Sequence, residues 1–456
     1  VKRSAEQLRR DVVQIWRAGL AAVRSDALVE NVLRVEGNCL WIEDEPVDLD
    51  SIGRIVVVGA GKAGAGMAAG FERALGPHLL AAKQVSGWIN VPADCVRPLA
   101  RIHLHAARPA GVNEPTEAGV AGAGEILRLV ESLAPGDLCF VLLSGGGSAL
   151  LPAPVAGISL ADKLAVTRHL SAAGANITEL NTVRKQLSRL KGGGLARTCR
   201  ARRLFALIIS DVLGDPLDII ASGPTVPDSS SPQQALEVLE RYSGRAVLPA
   251  AVFEHLERQS TAAQAPAACE VTNLVIGNNA LAVDAAGLEA ERLGYSHAML
   301  AAPAPEGAAE EVGRHLARLG LNMLAVSGPD CLVSGGEPVV TLAPPERRGK
   351  GGRNQQLVLA AAEVLASSTS AGGFTILSGG TDGEDGPTDA AGAWVDGELI
   401  ARAAQLGLDV RDYLQRNDAY HYFEPIGGLL KTGPTDTNVC DVRVVVVERV
   451  ELERRA

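Results

Sequence analysis

Lys62 sits inside a glycine turn, Gly59-Ala60-Gly61-Lys62-Ala63-Gly64. A cation at that place suits a reacting phosphate or carboxylate. The glycines permit a tight turn and the close approach of a phosphate to a helix N-terminus. The spacing matches the Gly-x-Gly-x-x-Gly dinucleotide fingerprint. That fingerprint expects an acid roughly 20 residues on to hold a ribose. The corresponding stretch, Leu79-Leu80-Ala81-Ala82-Lys83-Gln84, contains none. The plain alternative is a strand-to-helix turn with a solvated lysine.

A second loop reads Ser144-Gly145-Gly146-Gly147-Ser148. Backbone N–H groups of successive glycines can converge on one anion as a nest. The pattern is not a P-loop, so a triphosphate would have to be held in another way. A flexible turn is the alternative. Further on, Arg184, Ser188 and Lys191 fall at i, i+4 and i+7, which is one helical face. Followed by cap glycines, such a face could clamp a carboxylate or phosphate. Favourable charge near a helix C-terminus explains it equally well.

Carboxylates lie in or beside further glycine turns: Asp211, Asp215, Asp218, Glu337, Asp382, Glu384, Asp385 and Asp389. Hard oxygen ligands suit Mg²⁺ bridging phosphates, with few protein ligands and several waters. The same residues also stabilise turns. Pro344 to Arg353 gathers Arg347, Arg348, Lys350 and Arg353 among glycines. A basic loop in an acidic chain suggests a mobile segment that meets an anion. His103 and His105 would face one side of a strand and read as structural. No Gly-x-Ser-x-Gly elbow occurs, which argues against that hydrolase class.

Positioning these loops requires a regular frame, and the pattern supplies one. Apolar runs end at the loops: Ile55 to Val58, Leu138 to Leu143, Leu204 to Ile209, Leu274 to Ile276, Cys331 to Val333 and Phe374 to Leu377. Runs apolar at successive positions are buried on both faces, which implies a parallel sheet covered by helices. Strands alternating with helices give an α/β fold. Ligands then sit beyond the carboxyl ends of the strands. Leu8, Val12, Ile15, Trp16, Leu20 and Val23 predict an amphipathic N-terminal helix. Leu40 to Ile42 reads as a short strand and Val442 to Val447 as a final one. A linker and domain boundary are expected between about Ser229 and Cys269, including Gln259 to Ala268. The expected domains are 1–250 and 265–456.

The net charge of -10 argues against a nucleic-acid binder, because phosphate contacts need clustered Lys and Arg. A hydrophobic fraction of 47% excludes a disordered chain. No apolar run reaches the roughly 18 residues of a spanning helix. The first residues lack a signal-peptide core. Seven scattered cysteines without a Cys-x-x-Cys pair read as reduced thiols in a cytoplasmic protein.

Taken together, the motifs occur in a telling order. Gly-Ala-Gly-Lys-Ala (59–63), Leu-Ser-Gly-Gly-Gly-Ser-Ala-Leu (143–150), Val-Arg-Lys-Gln-Leu-Ser-Arg-Leu-Lys-Gly-Gly (183–193) and Ser-Asp-Val-Leu-Gly-Asp (210–215) come first. Ala-Ser-Gly-Pro-Thr (221–225), Ser-Gly-Gly-Glu (334–337), Gly-Gly-Arg-Asn-Gln (351–355) and Ser-Gly-Gly-Thr-Asp-Gly-Glu-Asp-Gly (378–386) follow. Gly-Pro-Thr-Asp-Thr-Asn-Val (433–439) closes the series. Over nearly the whole chain this resembles the class II glycerate kinases, whose C-terminal module is the MOFRL domain. Some members of that family carry the label hydroxypyruvate reductase.

The resemblance implies ATP-dependent phosphorylation of D-glycerate to 2-phosphoglycerate, with Mg²⁺. It implies a Rossmann-like parallel-sheet N-terminal domain, a smaller C-terminal α/β domain and a site in the cleft between them. Carried over residue by residue, it implies Lys62 and Arg353 as the catalytic pair. Gly59, Gly61 and Ser144 to Ser148 (with Gly145, Gly146 and Gly147) are then candidates for phosphate or nucleotide. Arg184 and Lys191 are candidates for the glycerate carboxylate. Asp211, Glu337 and Asp382 are candidates for Mg²⁺ or for a base. D-glycerate is the expected partner, with no nucleic acid and no membrane, and a homodimer stays open. The chain departs from the family at Gln186, where His is common, and at Asp436 and Cys440, where Gly and Asn are usual. An NAD(P)H-dependent hydroxypyruvate reductase is the competing enzyme reading. A non-catalytic sugar-acid or nucleotide sensor is the third.

Overall fold

The structure is a computed structural model and describes residues 3–242, 245, 247–259, 269–368 and 372–449. Residues 260–268, part of the expected linker, lie outside the described residues. The chain forms two compact units, Ser25–Gly277 and Val1–Arg24 with Asn278–Ala456.

The first unit begins with a small antiparallel sheet: β1 (Leu33–Glu36), β2 (Cys39–Ile42) and β3 (Glu45–Asp48). Its main sheet holds β4 (Ile55–Ala60), β5 (Ser86–Pro92), β6 (Ile102–Arg108), β7 (Leu138–Leu143), β8 (Arg203–Ile209) and β9 (Glu270–Gly277). The order is β6-β5-β4-β7-β8-β9, and every pair is parallel. This is the Rossmann order, with the topological switch between β4 and β7. The apolar runs are indeed buried on both faces. On one face Val56, Val141 and Ala206 pack with Ile126, Leu127 and Val130 of helix Glu117–Glu131. On the other, Phe71, Phe140 and Phe205 form a ring stack with centroids 4.9 and 5.8 Å apart. Fully burying one such side chain contributes about 1.5–3 kcal/mol.

A helical layer joins this unit. Helices Leu160–Ala172, Ile177–Gln186, Pro232–Tyr242 and Ala250–Gln259 share a core of Val166, Leu170, Val183, Leu239, Val252 and Phe253. His103 and His105 lie on β6 beside Trp88, with ring centroids 4.2 and 5.1 Å from it.

The second unit holds β10 (His297–Leu300), β11 (Cys331–Gly336), β12 (Phe374–Gly380), β13 (Gly392–Asp396), β14 (Leu429–Leu430) and β15 (Asp441–Val447). The order is β10-β11-β15-β12-β13-β14, and only β10 and β11 run parallel. The parallel sheet expected from the apolar runs is therefore corrected here to a mixed one. Apolarity at successive positions reports burial on both faces, and it carries no information on strand direction. Helices Ala309–Ala325 and Arg353–Ala366 form one core with β12 and β15. Helices Ala5–Ala22 and Asn279–Arg292 also pack on this sheet.

The expected domains, 1–250 and 265–456, differ from these units for two physical reasons. The N-terminal helix buries Leu8, Val12, Ile15 and Trp16 in the second unit, and Trp16 Nε1 donates to Gly379 O at 3.2 Å. Residues Glu270–Gly277 complete the first unit's sheet as β9. No helix among the described residues is long and apolar enough to cross a membrane. None of the seven cysteines is in a disulfide.

Candidate active site

In the first unit, the two glycine loops leave the carboxyl ends of β4 and β7, where Ala60 pairs with Leu143. The loops are tied together. Lys62 N donates to Gly145 O at 2.9 Å, and Ala63 N donates to Ser144 Oγ at 3.1 Å. Gly61 has φ +151°, and a Cβ there would overlap Ser144 Oγ. Lys62 and Gly146 therefore adjoin. A Cβ built on Gly146 would stand 3.6 Å from Lys62 Cγ and 3.2 Å from Arg108 Nη2. Arg108, at the end of β6, was not singled out from the sequence. The nest is also partly engaged, since Ser144 N donates to Ala60 O and Gly147 N to Ser144 O. Gly59 and Gly61 serve close backbone approach, with the Leu142 backbone facing Gly59.

Arg184 and Lys191 do come together, though not on one helical face. The helix starts at a capping box of Asn176 and Glu179 and stops at Gln186. Lys191 lies beyond it, in a turn where Ser188 Oγ accepts from the N–H groups of Leu190 and Lys191, both at 3.3 Å. The expected i, i+4, i+7 face is thus corrected to a helix end plus a turn. Both cations reach Ser148. Arg184 Nη2 donates to Ser148 Oγ, and Lys191 Nζ donates to Ser148 Oγ and to Ser148 O at 2.8 Å. Ser222 joins them, 2.9 Å from Ser148 Oγ, and donates to Asn181 Oδ1 at 3.2 Å. It is delivered by three successive left-handed residues, Ala221, Ser222 and Gly223, at φ 50°, 62° and 61°. The left-handed conformation costs a non-glycine residue about 1–2 kcal/mol, so this turn is held by its surroundings.

A third buried cation stands nearby. Lys163, on helix Leu160–Ala172, donates to Leu187 O at 2.9 Å. Burial, then the charge of Arg184, pushes its ammonium down to about 7. Burial, then Arg184 and Lys163, pushes Lys191 well below its ordinary value. Burial alone lowers Arg184. Among the described residues no carboxylate pairs with any of these three cations. Lys185, adjacent on the same helix, differs: it lies 3.4 Å from Asp218 and 3.7 Å from Asp228. Gln186 donates to Asp228 Oδ2 at 2.8 Å, a local tie.

In the second unit, Arg353 is the first residue of its helix, after Gly352 in extended conformation. A Cβ on Gly352 would collide with the Asp385 backbone. Arg353 is gripped by two carboxylates. Its Nε and Nη2 donate to the two Asp441 oxygens at 2.8 and 3.0 Å, and Nη1 donates to Glu337 Oε1 at 2.7 Å. Burial opposes the charge, yet Asp441 and Glu337 raise the guanidinium above its ordinary range. Asn354 Nδ2 also donates to Asp441, at 2.9 Å. Asp385 accepts from Asn354 N and Gln355 N at 3.0 and 2.8 Å and so caps this helix from outside. Burial pushes its carboxyl up to about 7, against the pull of those N–H donors.

The basic loop expected to be mobile is tied down at its glycines. Gly349 N donates to Arg416 O at 2.7 Å and Lys350 N to Asp418 Oδ1 at 2.8 Å. Lys350 Nζ lies over the Tyr420 ring at 4.2 Å. Asp436 and Cys440 both adopt left-handed φ, 58° and 67°. Gly and Asn take that conformation most readily, and Asp tolerates it better than Cys.

The carboxylates considered for Mg²⁺ are divided between the two units. Within the second unit Glu337 bonds Arg353 and Asp382 Oδ1 accepts from Glu384 N at 3.1 Å; Asp211 belongs to the first unit. Among the described residues no three His, Cys, Asp or Glu side chains gather to hold a metal ion.

The first unit thus places Lys62 on a glycine-rich loop at a strand end, and the second opens a helix with Arg353 behind a glycine-rich loop, the arrangement of an α/β enzyme that handles anionic substrates. Known proteins agree with this class. Residues 11–257 match a family described as a domain of unknown function, DUF4147, and residues 330–441 match the MOFRL family. The rat (Rattus norvegicus) glycerate kinase is 38% identical over 97% of this chain and 93% of its own. A protein of Agrobacterium vitis, provisionally named hydroxypyruvate reductase, is 40% identical over 87% of this chain and 100% of its own. The crystal structure of a glycerate kinase from Thermotoga maritima superposes with a TM-score of 0.82 at 33% identity, covering 97% of this chain and 100% of that one. The chain belongs to the glycerate kinase family with DUF4147 and MOFRL domains.

Proposed function

We propose that this glycerate kinase family member transfers the γ-phosphoryl group of ATP to the C2 hydroxyl of D-glycerate, giving 2-phosphoglycerate. One observation carries the substrate assignment: Arg184 and Lys191 converge on Ser148, at the end of a glycine loop, and among the described residues no carboxylate pairs with either. A small carboxylate-bearing substrate supplies the counter-charge. Phosphoryl transfer demands chiefly positioning and charge neutralisation. Lys62 and Arg353 supply the cations for the transferred group. Gly59, Gly61 and the Ser144–Ser148 loop hold the nucleotide phosphates. Mg²⁺ would arrive with ATP and add to the neutralisation of its phosphate charge. Asp211, Glu337 and Asp382 are assigned no metal centre.

The reductase reading draws on the Gly59–Gly64 spacing alone. The stretch expected to hold a ribose acid, residues 79–84, closes helix Gly64–Ala82, whereas the second strand of the fingerprint, β5, ends at Pro92 with Asp94 just beyond it. The ribose position therefore does not separate the two readings. One assay decides. The protein is incubated with ATP, Mg²⁺ and D-glycerate while ADP formation is followed, and the phosphorylated carbon is read by NMR. NADH oxidation with hydroxypyruvate is measured in parallel. ADP formation with phosphate on C2 is the expected result. NADH turnover without ADP formation would overturn the proposal.

A further inference from the structure

Arg108 closes β6, and Pro109 behind it has no N–H to continue the ladder. The strand order β6-β5-β4-β7 sets β6 three places from β7, roughly 14 Å away at about 4.8 Å per strand. The Arg108 side chain nevertheless meets the loop that follows β7. Its Nη2 stands 3.2 Å from the place of a Cβ on Gly146, and Lys62 Cγ stands 3.6 Å from the same point. The loops lean together to allow this. Gly61 N donates to Asn90 O of β5 at 3.2 Å, and Lys62 N donates to Gly145 O at 2.9 Å. Gly146 holds φ +76°, and a side chain there would press on the guanidinium. A left-handed glycine thus lets two cations of different kinds, a point charge and a planar fork, flank one turn of the glycine loop. Arg108 is 4% exposed, whereas Lys62 and Gly146 are half-buried, so the turn between them is reachable from solvent. Drawing a guanidinium inward costs hydration. Its Nη1 donates to the Val112 carbonyl, a neutral group that does not offset the charge. The five donors of a guanidinium fit phosphate oxygens two at a time.

We propose that Arg108 is a nucleotide-binding residue, which holds a phosphate of ATP against the Gly145–Gly147 turn, opposite Lys62. The inference rests on the kinase reading for its ligand. It adds a division of labour to that reading. Lys62 serves the transferred phosphoryl group, and Arg108 serves a phosphate that stays with the nucleotide. Its loss therefore weakens ATP and ADP alike and leaves glycerate to Arg184 and Lys191. The bland role for Arg108 is to pin the loop after β6 through the Val112 carbonyl. Val112→Gly separates the two roles, because it loosens that exposed loop and leaves the guanidinium in place.

Steady-state kinetics and calorimetry on folded variants test the proposal. Arg108→Gln should raise the KM of ATP and the Ki of ADP by at least about tenfold, as for loss of a charge-assisted contact. Arg108→Lys should raise both by at least about threefold, because a point charge does not replace a fork. In both variants the KM of D-glycerate should stay within about twofold of the parent, since other residues hold it. Val112→Gly should leave the KM of ATP within about twofold. In titrations with Mg²⁺ and inorganic tripolyphosphate, without substrate, Arg108→Gln should bind at least about tenfold more weakly than the parent. An unchanged KM of ATP in Arg108→Lys or Arg108→Gln overturns the inference. So does an equal rise in both KM values, or a loss in Val112→Gly that matches Arg108→Gln. A parent that binds no tripolyphosphate, or an Arg108→Gln variant that binds it as tightly as the parent, overturns it too. If the parent forms no ADP from D-glycerate but Arg108→Gln still loses tripolyphosphate, the kinase reading falls and the phosphate site stands.

Discussion

The two units treat their buried cations in opposite ways. In the first, Lys163, Arg184 and Lys191 are crowded together, and burial lowers the affinity of each for its proton. In the second, Arg353 is held by Asp441 and Glu337, which keep it charged. Uncompensated cations are costly until a ligand arrives, so they report a binding site. A bidentate guanidinium–carboxylate pair is costly to move, so it reports a group fixed in place before the reaction. The difference separates affinity from positioning: one unit awaits charge, and the other presents it.

The largest expected effects fall on the cations proposed to meet the phosphoryl group. Lys62→Ala should lower kcat by at least about 100-fold, as for loss of a transition-state charge. Arg353→Lys should lower it by about tenfold to 100-fold, because a point charge does not replace a planar fork. Steady-state kinetics on the folded variants reads both. A normal kcat in Lys62→Ala would remove Lys62 from the mechanism.

The contrast between binding and positioning is sharpened by Asp441→Asn. Loosening the Arg353 grip should lower kcat about tenfold, since small misplacements of a catalytic group are expensive. The KM for glycerate should hardly move. Arg184→Gln should do the reverse, raising KM about tenfold. If both variants change KM alike, the division of labour is wrong.

A smaller effect is expected in the pH dependence of the cation trio. Lys163 is charged in the unfolded chain up to its ordinary 10.5 but in the folded chain only to about 7. Its burial penalty is therefore full below pH 7 and fades as pH rises through the window from 7 to 10.5. Lys191 shifts in the same direction, and Arg184 remains the neighbouring fixed charge. An anion should pull a proton back onto this cluster. Glycerate binding at pH 8 should thus take up protons, seen calorimetrically in buffers of different ionisation enthalpy, and should weaken towards pH 9. Binding without proton uptake would mean that the trio is not the site.

Much of this frame was legible in the sequence, and the gaps have physical causes. The strand-end loops with Lys62 and Ser144–Ser148 stand out because apolar runs stop abruptly at glycines, and Arg353 because a basic glycine-rich stretch interrupts an acidic chain. Strand direction in the second unit was not legible, because burial on both faces looks alike in parallel and antiparallel sheets. Helix Ala5–Ala22 was readable as amphipathic, but nothing in its pattern names the sheet it covers. Lys163 carries no signal at all: a lysine on a helix looks solvated until the layer around it is known. Ser222 and Asp441 lay in or beside the motifs, yet as a serine in a turn and an aspartate opening a strand they looked ordinary.

The smallest effect concerns the backbone that presents the grip on Arg353. Cys440 immediately precedes Asp441 and holds φ 67°, with its carbonyl accepting from Thr381 N at 3.0 Å and Thr381 Oγ1 at 2.7 Å. Those bonds fix the left-handed bend that turns Asp441 towards Arg353. Asn tolerates this conformation better than Cys without glycine's added unfolded-state entropy. Cys440→Asn should therefore raise stability by about 0.5 kcal/mol, a Tm increase of about 1–2 °C for a unit of this size. Because the bend itself is kept, kcat should stay within about twofold of the parent. A thermal melt and one rate measurement read both quantities. A rise in Tm with an intact rate would show that the left-handed bend costs stability and that the grip does not depend on the thiol. A fall in Tm with a loss of rate would mean that the Cys440 side chain helps to hold Asp441, so the fixed cation would need more than its two carboxylates.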